Sequence, residues 1–265
     1  MKMMFQNEVI PLIKARFNPV QQIIVDRITV FMLKESALGA RLGGFESRFP
    51  AFSMGIRVSF PTIEVKIRFK QQPSDINIAR SRMDDARQWV LEKLGSKVVS
   101  PTGRSLVEEI AALLMDNQKT LAVAESCTGG LISNMITDLS GSSQYFLLSA
   151  VTYANEAKVR VLNVSEATLE KHGAVHEQTA LEMAAGARQA AKSDYAVSTT
   201  GIAGPTGGTE DKPVGRVCIG LATPDNARAK TFDFKFADRD KNKKMFACAA
   251  LEMLRQHLVS EFKTV

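Results

Sequence analysis

Apolar residues recur along the first hundred positions with the period of a helix in some segments and of a strand in others. Pro61 lies inside one strand-like segment, and since proline cannot sit in the middle of a paired strand, we expect a hairpin there. The pattern predicts a small, largely antiparallel sheet with helices on one face, an α+β arrangement. The predicted elements are, in order, a helix at Phe5–Arg16, a strand at Gln22–Leu33, a helix at Ser36–Arg48, a strand at Ser53–Lys70 and a helix at Ile76–Leu94.

The segment GSKVVSPTGRS, at 95–105, is small and polar and contains two glycines and a proline. Such a composition is typical of a linker. We therefore place a domain boundary there, with a smaller domain over 1–100 and a larger one over 105–265.

From Ser105 onward, strand-like and helix-like segments alternate. Ser105 and Glu108 have the spacing of a capping box ahead of an apolar helical stripe. The alternation predicts a three-layer α/β/α domain with a mixed, mostly parallel sheet. The expected strands are Thr120–Glu125, Tyr145–Tyr153, Tyr195–Thr200, Gly215–Ala222 and Ala229–Phe236, with later helices at 128–139, 155–162, 177–192 and 240–259.

The net charge of +6 is distributed unevenly along the chain. Residues 1–104 carry 17 Lys and Arg against 9 Asp and Glu, whereas residues 105–265 carry 17 against 19. A basic half suggests a nucleic-acid partner. In RVSFPTIEVKIRFK, at 57–70, however, the cations alternate with apolar residues, as on the wet face of a half-buried strand. We favour the solvated sheet face.

Three cysteines without a C-x-x-C spacing indicate neither a disulfide framework nor a zinc site, and no histidine cluster suggests another metal. The N-terminal residues carry charges every few positions and form no apolar segment of signal or membrane length. We therefore expect a soluble, cytoplasmic protein without a membrane partner, a metal or another cofactor.

The stretch LAVAESCTGG, at 121–130, ends a strand and opens a helix. A serine at such a turn lies where backbone N–H groups and the helix dipole favour an oxyanion or a bound anion. Ser126 is therefore a candidate nucleophile. Ser126 or Thr128 could instead only cap the helix, and Cys127 is a rival nucleophile of higher intrinsic reactivity.

The next turn, TYANEAK at 152–158, places Tyr153 at a strand end and Lys158 in the first turn of a helix. Lysine has an ordinary pKa of about 10.4, so it needs a shift of roughly 3 units, or about 4 kcal/mol, to act as a base near pH 7. Alternatively, Tyr153 packs in the core and Lys158 is solvated.

Two later turns have the character of anion sites. TTGIAGPTGG, at 199–208, follows a strand, and its glycines allow an N–H nest or simply a flexible loop. It matches neither a P-loop nor a dinucleotide-binding fingerprint. FADRD, at 236–240, places Arg239 where a helix begins and can hold phosphate, although Asp238 could cap that helix with Arg239 solvated. Turns at strand ends of one sheet gather into one crevice.

Several motifs together resemble the C-terminal domain of the CinA family, known as nicotinamide mononucleotide deamidase. Residues 1–100 are similar to the KH-type middle domain of the longer CinA proteins, whereas no segment resembles the family's upstream metal-dependent pyrophosphatase domain. The sequence departs from the family pattern at Ala237, where glycine is common, and at Lys244, where arginine is frequent. The motifs that carry the resemblance are AESCTGG, GSS at 141–143, VTYANEAK, HGAV at 172–175, SDYAVSTTGIAGPTGG, KPVGRV at 212–217 and ADRD.

The resemblance implies hydrolysis of the carboxamide of nicotinamide mononucleotide, giving nicotinic acid mononucleotide and ammonia. It implies Ser126 as nucleophile, Lys158 as base and Tyr153 as a proton relay, which is a Ser-Lys variant of triad chemistry. Backbone N–H groups near Thr128, Gly129 and Gly130 are then expected to hold the oxyanion. The substrate phosphate is expected at Gly201, Gly204, Gly207 and Arg239.

Two alternatives remain beside this activity. The basic N-terminal domain could act as a nucleic-acid-binding or competence-related adaptor, but residues 1–104 lack the G-x-x-G loop by which KH modules clamp a nucleic-acid backbone. The second alternative is a domain retained for assembly without amidase activity. We expect a homo-oligomer, in the simplest case a dimer.

Overall fold

The computed structural model describes residues 2–17, 25–69 and 76–262. The chain divides into two compact units, Met1–Gly103 and Arg104–Val265. Among the described helices, none is both long and apolar enough to cross a membrane.

The first unit is an α+β unit with a four-stranded sheet in the order β2-β3-β1-β4. The pairs β2–β3, β1–β3 and β1–β4 are all antiparallel. Its elements are α1 (Lys2–Met4), a π-helical turn (Phe5–Val9), α2 (Ile10–Phe17), β1 (Val25–Phe31), α3 (Glu35–Arg41), α4 (Phe45–Arg48), β2 (Phe52–Ser59), β3 (Thr62–Phe69), α5 (Ile76–Leu94), a 3-10 turn (Gly95–Lys97) and β4 (Val98–Ser100).

Pro61 lies in the tight turn between β2 and β3, which confirms the predicted hairpin. Val65 and Ile67 of β3 are fully buried, whereas the intervening Lys66 and the following Arg68 lie on the opposite face. The alternation of cations and apolar residues is therefore that of a half-buried strand, as predicted.

Three predictions for the first unit need correction or fall outside the description. The predicted helix at Ser36–Arg48 is two helices, because Gly44 adopts a left-handed φ of +83° between them. Part of the predicted linker is β4, which pairs with β1 through Val30 and Val98. Its three residues are too few to show a strand period. The predicted strand residues 22–24 and Lys70 lie outside the described residues.

The second unit contains a five-stranded sheet in the order β6-β5-β7-β8-β9. Strand β5 is parallel to both of its neighbours, whereas β8 runs antiparallel to β7 and β9. The sheet is mixed as predicted, with two parallel and two antiparallel strand pairs rather than mostly parallel ones. The elements are α6 (Leu106–Asp116), β5 (Leu121–Glu125), α7 (Leu131–Thr137), a 3-10 turn (Ser142–Gln144), β6 (Phe146–Val151), α8 (Asn155–Leu162), α9 (Glu166–His172), α10 (Glu177–Ala191), β7 (Tyr195–Gly201), β8 (Arg216–Ala222), β9 (Ala227–Asp233) and α11 (Arg239–Phe262).

Helices cover both faces of this sheet and give the predicted three layers. On one face, α10 packs across the strands and contacts α8 and α9; on the other, α11 packs on β7 and β8 and contacts α6 and α7. Ser105 and Glu108 form the predicted capping box of α6. Helix α9 was not predicted, and α7 begins at Leu131, three residues later than expected.

The parallel strands β5, β6 and β7 end at one edge of the sheet. The register aligns Glu125, the last residue of β5, with Val151 of β6 and with Thr199 of β7. The turns that follow these strands therefore meet at that edge, which is where ligands bind in open α/β sheets.

Candidate active site

A cleft of about 360 Å³ lies at this edge of the sheet. Its lining contains seven of the ten residues that the sequence predicted: Ser126, Tyr153, Lys158, Gly201, Gly204, Gly207 and Arg239. The other three, Thr128, Gly129 and Gly130, lie in the turn behind Ser126 and do not line the cleft. The remaining wall is formed by Cys127, Ala174, Val175, Thr200, Ile202, Ala203 and Thr206.

Ser126 directly follows β5 and does not cap the next helix. Its backbone N–H donates to Thr199 O at 2.9 Å, which continues the pairing of β5 with β7. The N-cap of α7 is Gly130, and no side chain caps that helix from the N-cap position. Thr128 is fully buried and its hydroxyl pairs with that of Thr199 at 2.7 Å. The capping interpretation of Ser126 and Thr128 is therefore wrong.

The carboxylate of Glu125 accepts hydrogen bonds from backbone N–H groups at the start of α7. Glu125 is fully buried, and its two carboxylate oxygens accept hydrogen bonds from the backbone N–H groups of Gly130, Ile132 and Ser133 at 3.0–3.1 Å. The Ser133 hydroxyl donates a fourth bond at 2.6 Å. Sequence analysis treated Glu125 only as the end of a strand, although an acid just ahead of a helix start is a favourable match to the helix dipole.

This arrangement changes the predicted oxyanion site. The N–H of Gly130 is donated to Glu125, and the N–H of Gly129 is donated to Ser126 O at 3.1 Å. Neither group is free to bind a substrate oxygen. Within the described part of the chain, no oxygen accepts from the backbone N–H of Cys127 or Thr128. Of these two residues only Cys127 lines the cleft, because Thr128 is fully buried behind it.

Lys158 is buried although it is charged in its ordinary state, with 1% of its surface exposed. Its Nζ donates to Thr152 O at 3.0 Å and to Tyr153 O at 3.3 Å. Burial lowers the pKa of Lys158, and the nearby Cys127 and Glu156 oppose that shift only in part. The interpretation of Lys158 as a solvated lysine is therefore wrong. Burial shifts the protonation equilibrium of its amino group toward the neutral form.

Tyr153 also lines the cleft and is 63% exposed. It is therefore not a core residue. Its hydroxyl oxygen accepts a hydrogen bond from Arg239 Nη2 at 3.2 Å. Arg239 Nη1 donates to Gly204 O at 2.7 Å, so the guanidinium joins the tyrosine to the glycine-rich loop.

The glycine-rich loop is tied to its surroundings on both sides. Ile202 exchanges backbone hydrogen bonds with the 215–216 segment, and Asn242 Nδ2 donates to Ala203 O at 3.0 Å and to Phe236 O at 2.9 Å. A Cβ on Gly201 would come within 2.4 Å of Arg216 O. Glycine is thus required at Gly201 by close packing of the backbone.

The first turn of α11 brings cations to the cleft edge. Asp238 Oδ1 accepts from the Lys241 N–H at 3.1 Å and caps the helix, while Arg239 lines the cleft. Lys243, one turn after Arg239, has its Nζ 3.5 Å from the position of a Cβ on Gly129. Lys243 therefore lies over the nucleophile turn.

Cys127 is a poor nucleophile in this environment. The side chain is buried, and burial raises the pKa of its thiol to about 12. The thiolate is the reactive form of cysteine, so the thiol is inert near neutral pH. Of the two adjacent candidates, the geometry and chemistry favour Ser126.

The HGAV segment contributes an apolar wall that sequence analysis did not assign. The backbone of Gly173 and Ala174 is held by the hydroxyls of Thr179 and Thr200, at 2.8 and 2.7 Å. Lys212 Nζ donates to His172 O at 2.7 Å. Across the described ranges, no group of three or more His, Cys, Asp or Glu side chains is placed to hold a metal ion.

The sequence matches the CinA C-terminal domain over residues 103–258. A CinA-like protein of Desulfosudis oleivorans is 46% identical over 260 residues, and one of Geobacter metallireducens is 41% identical over 260 residues. Each match covers 98% of this chain and 62% of the relative. The chain therefore spans about three fifths of the length of these curated relatives.

Solved structures of competence or damage-inducible proteins resemble part of this chain. A competence or damage-inducible protein from Enterobacter asburiae is 33% identical, with a TM-score of 0.56, over 58% of this chain and 96% of its own. The competence/damage inducible protein CihA from Agrobacterium tumefaciens is 38% identical, also with a TM-score of 0.56, over 58% of this chain and 93% of its own.

Proposed function

Because the chain belongs to the CinA family, we propose that its second unit hydrolyses the carboxamide of nicotinamide mononucleotide to nicotinic acid mononucleotide and ammonia. The observation that carries this proposal is a single cleft lined by a serine that does not cap a helix, a buried lysine and an arginine. These are a nucleophile, a base and a phosphate ligand, and the proposed substrate has a carboxamide and a phosphate.

In the first half of the reaction, Ser126 Oγ attacks the amide carbon while neutral Lys158 takes the hydroxyl proton. The carbonyl oxygen becomes an oxyanion, for which the N–H of Cys127, which lines the cleft next to Ser126, is the proposed donor. Tyr153 relays the proton to the amide nitrogen, so that ammonia leaves and an acyl ester remains on Ser126.

In the second half, water replaces ammonia. Lys158 removes a proton from the attacking water, the same oxyanion site holds the second tetrahedral intermediate, and the proton returns to Ser126 Oγ as the ester bond breaks. The products are the nicotinic acid nucleotide and the regenerated serine. This cycle requires one lysine that is neutral near the working pH, which is what burial of Lys158 favours.

The cleft walls support the choice of substrate. Ala174, Val175, Ile202 and Ala203 give an apolar surface suited to an aromatic ring. Arg239 supplies planar donors for a phosphate, and Lys243 adds a second cation near the turn. A cleft of about 360 Å³ lies at the lower end of the volumes of about 300–1,000 Å³ found for small-molecule sites.

The experiment that tests this proposal measures ammonia release from nicotinamide mononucleotide, nicotinamide riboside and nicotinamide. We expect the mononucleotide to react fastest, because only this substrate has the phosphate that Arg239 would bind. Ser126→Ala supplies the background rate. Failure to release ammonia from any of the three above that background would contradict the proposal.

A nucleic-acid adaptor role for the first unit has less support. On the outer face of its sheet, Glu64 lies 2.9 Å from Lys66 and 3.8 Å from Arg27, and Arg68 donates to Ser53. These partners already neutralise or occupy much of the cationic face. The role can be tested by salt-dependent binding of single-stranded DNA or RNA to the full chain.

A further inference from the structure

Glu125 is a buried charge without a cationic partner among the salt bridges of the described residues. Burial of an unpaired carboxylate is strongly unfavourable unless hydrogen bonds compensate for the lost water. Here the compensation comes from the three backbone N–H groups and one hydroxyl at the start of α7. The carboxylate is therefore matched to one conformation of the 126–133 segment.

That conformation requires two successive left-handed residues, Gly129 with φ of +61° and Gly130 with φ of +90°. The Gly130 N–H is thereby turned inward to Glu125, and Gly129 N–H closes the turn on Ser126 O. Among the described residues, no oxygen accepts from the N–H groups of Cys127 and Thr128, and of these two residues only Cys127 lines the cleft. Glu125 thus decides which donors of the turn stay available.

The main chain of Glu125 extends the same arrangement to the base. Its carbonyl oxygen accepts from the Thr152 N–H at 2.8 Å, and the Thr152 carbonyl in turn accepts from Lys158 Nζ at 3.0 Å. The residue before the nucleophile therefore contacts the α7 start through its side chain and the Lys158 segment through its backbone.

We propose that Glu125 is a positioning residue for catalysis: its carboxylate holds the 126–130 turn so that Ser126 Oγ and the Cys127 N–H face one substrate carbonyl. This proposal rests on the proposed function for the identity of the reaction. Glu125 itself touches neither substrate nor reacting atoms, and it acts through the backbone of the turn.

The test compares Glu125→Gln with the wild-type chain. The amide keeps the size of the side chain but replaces one acceptor oxygen by a group that only donates. We expect kcat for nicotinamide mononucleotide to fall about 100-fold, because small misplacements of reacting groups have effects of this order, while KM changes by less than about 2-fold. Amide hydrogen exchange at Gly130, Ile132 and Ser133 should accelerate, with protection elsewhere retained.

Glu252→Gln is the matched control. Glu252 is also a buried carboxylate, but it pairs with Arg255 on α11 at 2.7 Å and does not line the cleft. This variant should lower the melting temperature and leave kcat unchanged. An unchanged kcat in Glu125→Gln, or an equal loss of kcat in both variants, would overturn the positioning role.

Two further measurements test the positioning role if Glu125→Gln does not fold or if the wild-type chain releases no ammonia. If Glu125→Gln does not fold, Ser133→Ala removes the hydroxyl bonds to the carboxylate and to Ser149 Oγ, whereas Ser149→Ala removes only the second. A several-fold lower kcat in Ser133→Ala alone supports the role, and an unchanged kcat in Ser133→Ala overturns it. If the wild-type chain releases no ammonia, the proposed function fails, and the rate at which a fluorophosphonate labels Ser126 replaces kcat. Equal labelling of the wild-type chain and Glu125→Gln would then overturn the positioning role separately.

Discussion

Arg239 Nη2 donates a hydrogen bond to the hydroxyl oxygen of Tyr153 at 3.2 Å, across the mouth of the cleft. Because the same guanidinium also holds Gly204 O, a phosphate that binds Arg239 competes directly with two protein acceptors. Phosphate binding and the position of the tyrosine hydroxyl are therefore linked through one side chain.

This link predicts the effect of Arg239→Ala. The value of kcat/KM for nicotinamide mononucleotide should fall about 10–100-fold, as expected for loss of charge-assisted hydrogen bonds worth about 1.5–3 kcal/mol. The value for nicotinamide riboside, which lacks the phosphate, should change much less. Lys241→Ala is the control, since Lys241 is exposed on the same helix and does not line the cleft. Equal losses of kcat/KM for both substrates would show that Arg239 does not bind the phosphate.

The two adjacent nucleophile candidates should respond in opposite ways to substitution. Ser126→Ala should reduce ammonia release to background, because no attacking oxygen remains. Cys127→Ala should retain most of the activity and lose about 1 kcal/mol of stability, as for removal of a small buried group. Both are read out by initial rates and thermal unfolding. An active Ser126→Ala variant would transfer the nucleophile role away from Ser126.

Lys158 should determine the rising, low-pH limb of the pH profile of activity. Since burial lowers its pKa, kcat/KM should rise with pH until the folded-state pKa is passed and then level off below the ordinary lysine pKa. Lys158→Met should remove most of the activity and this dependence together. A full rate in the Met variant would exclude lysine as the base.

The same shift has a consequence for stability with a defined sign. A lysine whose pKa is lowered on folding binds its proton more weakly in the folded than in the unfolded chain, so stability rises with pH between the two pKa values. The free energy of unfolding of the wild type, relative to Lys158→Met, should therefore increase as the pH rises toward the ordinary lysine pKa. Denaturant titrations of both proteins over that range measure it; a constant difference would contradict the assigned shift.

Gly201→Ala should disturb the cleft through its wall. The new methyl group would lie 2.4 Å from Arg216 O and 2.8 Å from Val217 Cα, so β7 or the following loop must move. We expect a loss of about 1–3 kcal/mol of stability, as in overpacked cores, and a higher KM. Gly39→Ala, where the structure places no atom within 4 Å of the new methyl, should leave the kinetics unchanged.

The elements with strong local signals were predictable from the sequence. Helix α5 begins and ends at the predicted residues, and so does α8, because an apolar helical period bounded by polar turns leaves little ambiguity. The meeting of Ser126, Tyr153 and Lys158 in one cleft also followed from the sequence, since parallel strands end at one edge of a sheet.

The features that escaped prediction depend on partners distant in sequence or on close backbone geometry. The three residues of β4 are a strand only because β1 lies beside them. Lys243 resembles its exposed neighbours along the helix, and only the approach of α11 to Gly129 distinguishes it. Of the backbone N–H groups expected near the oxyanion, that of Gly130 donates instead to Glu125, a residue whose side chain could equally have faced solvent.

Lys158 Nζ donates to the carbonyls of Thr152 and Tyr153, so the side chain is held by the loop that leads into its own helix. The position of the Lys158 side chain consequently depends on its own segment, whereas the Tyr153 hydroxyl depends on Arg239 of α11. Substitutions on the Ala174–Val175 and Ile202–Ala203 surfaces are therefore expected to change the shape of the cleft without disturbing the bonds that hold Lys158.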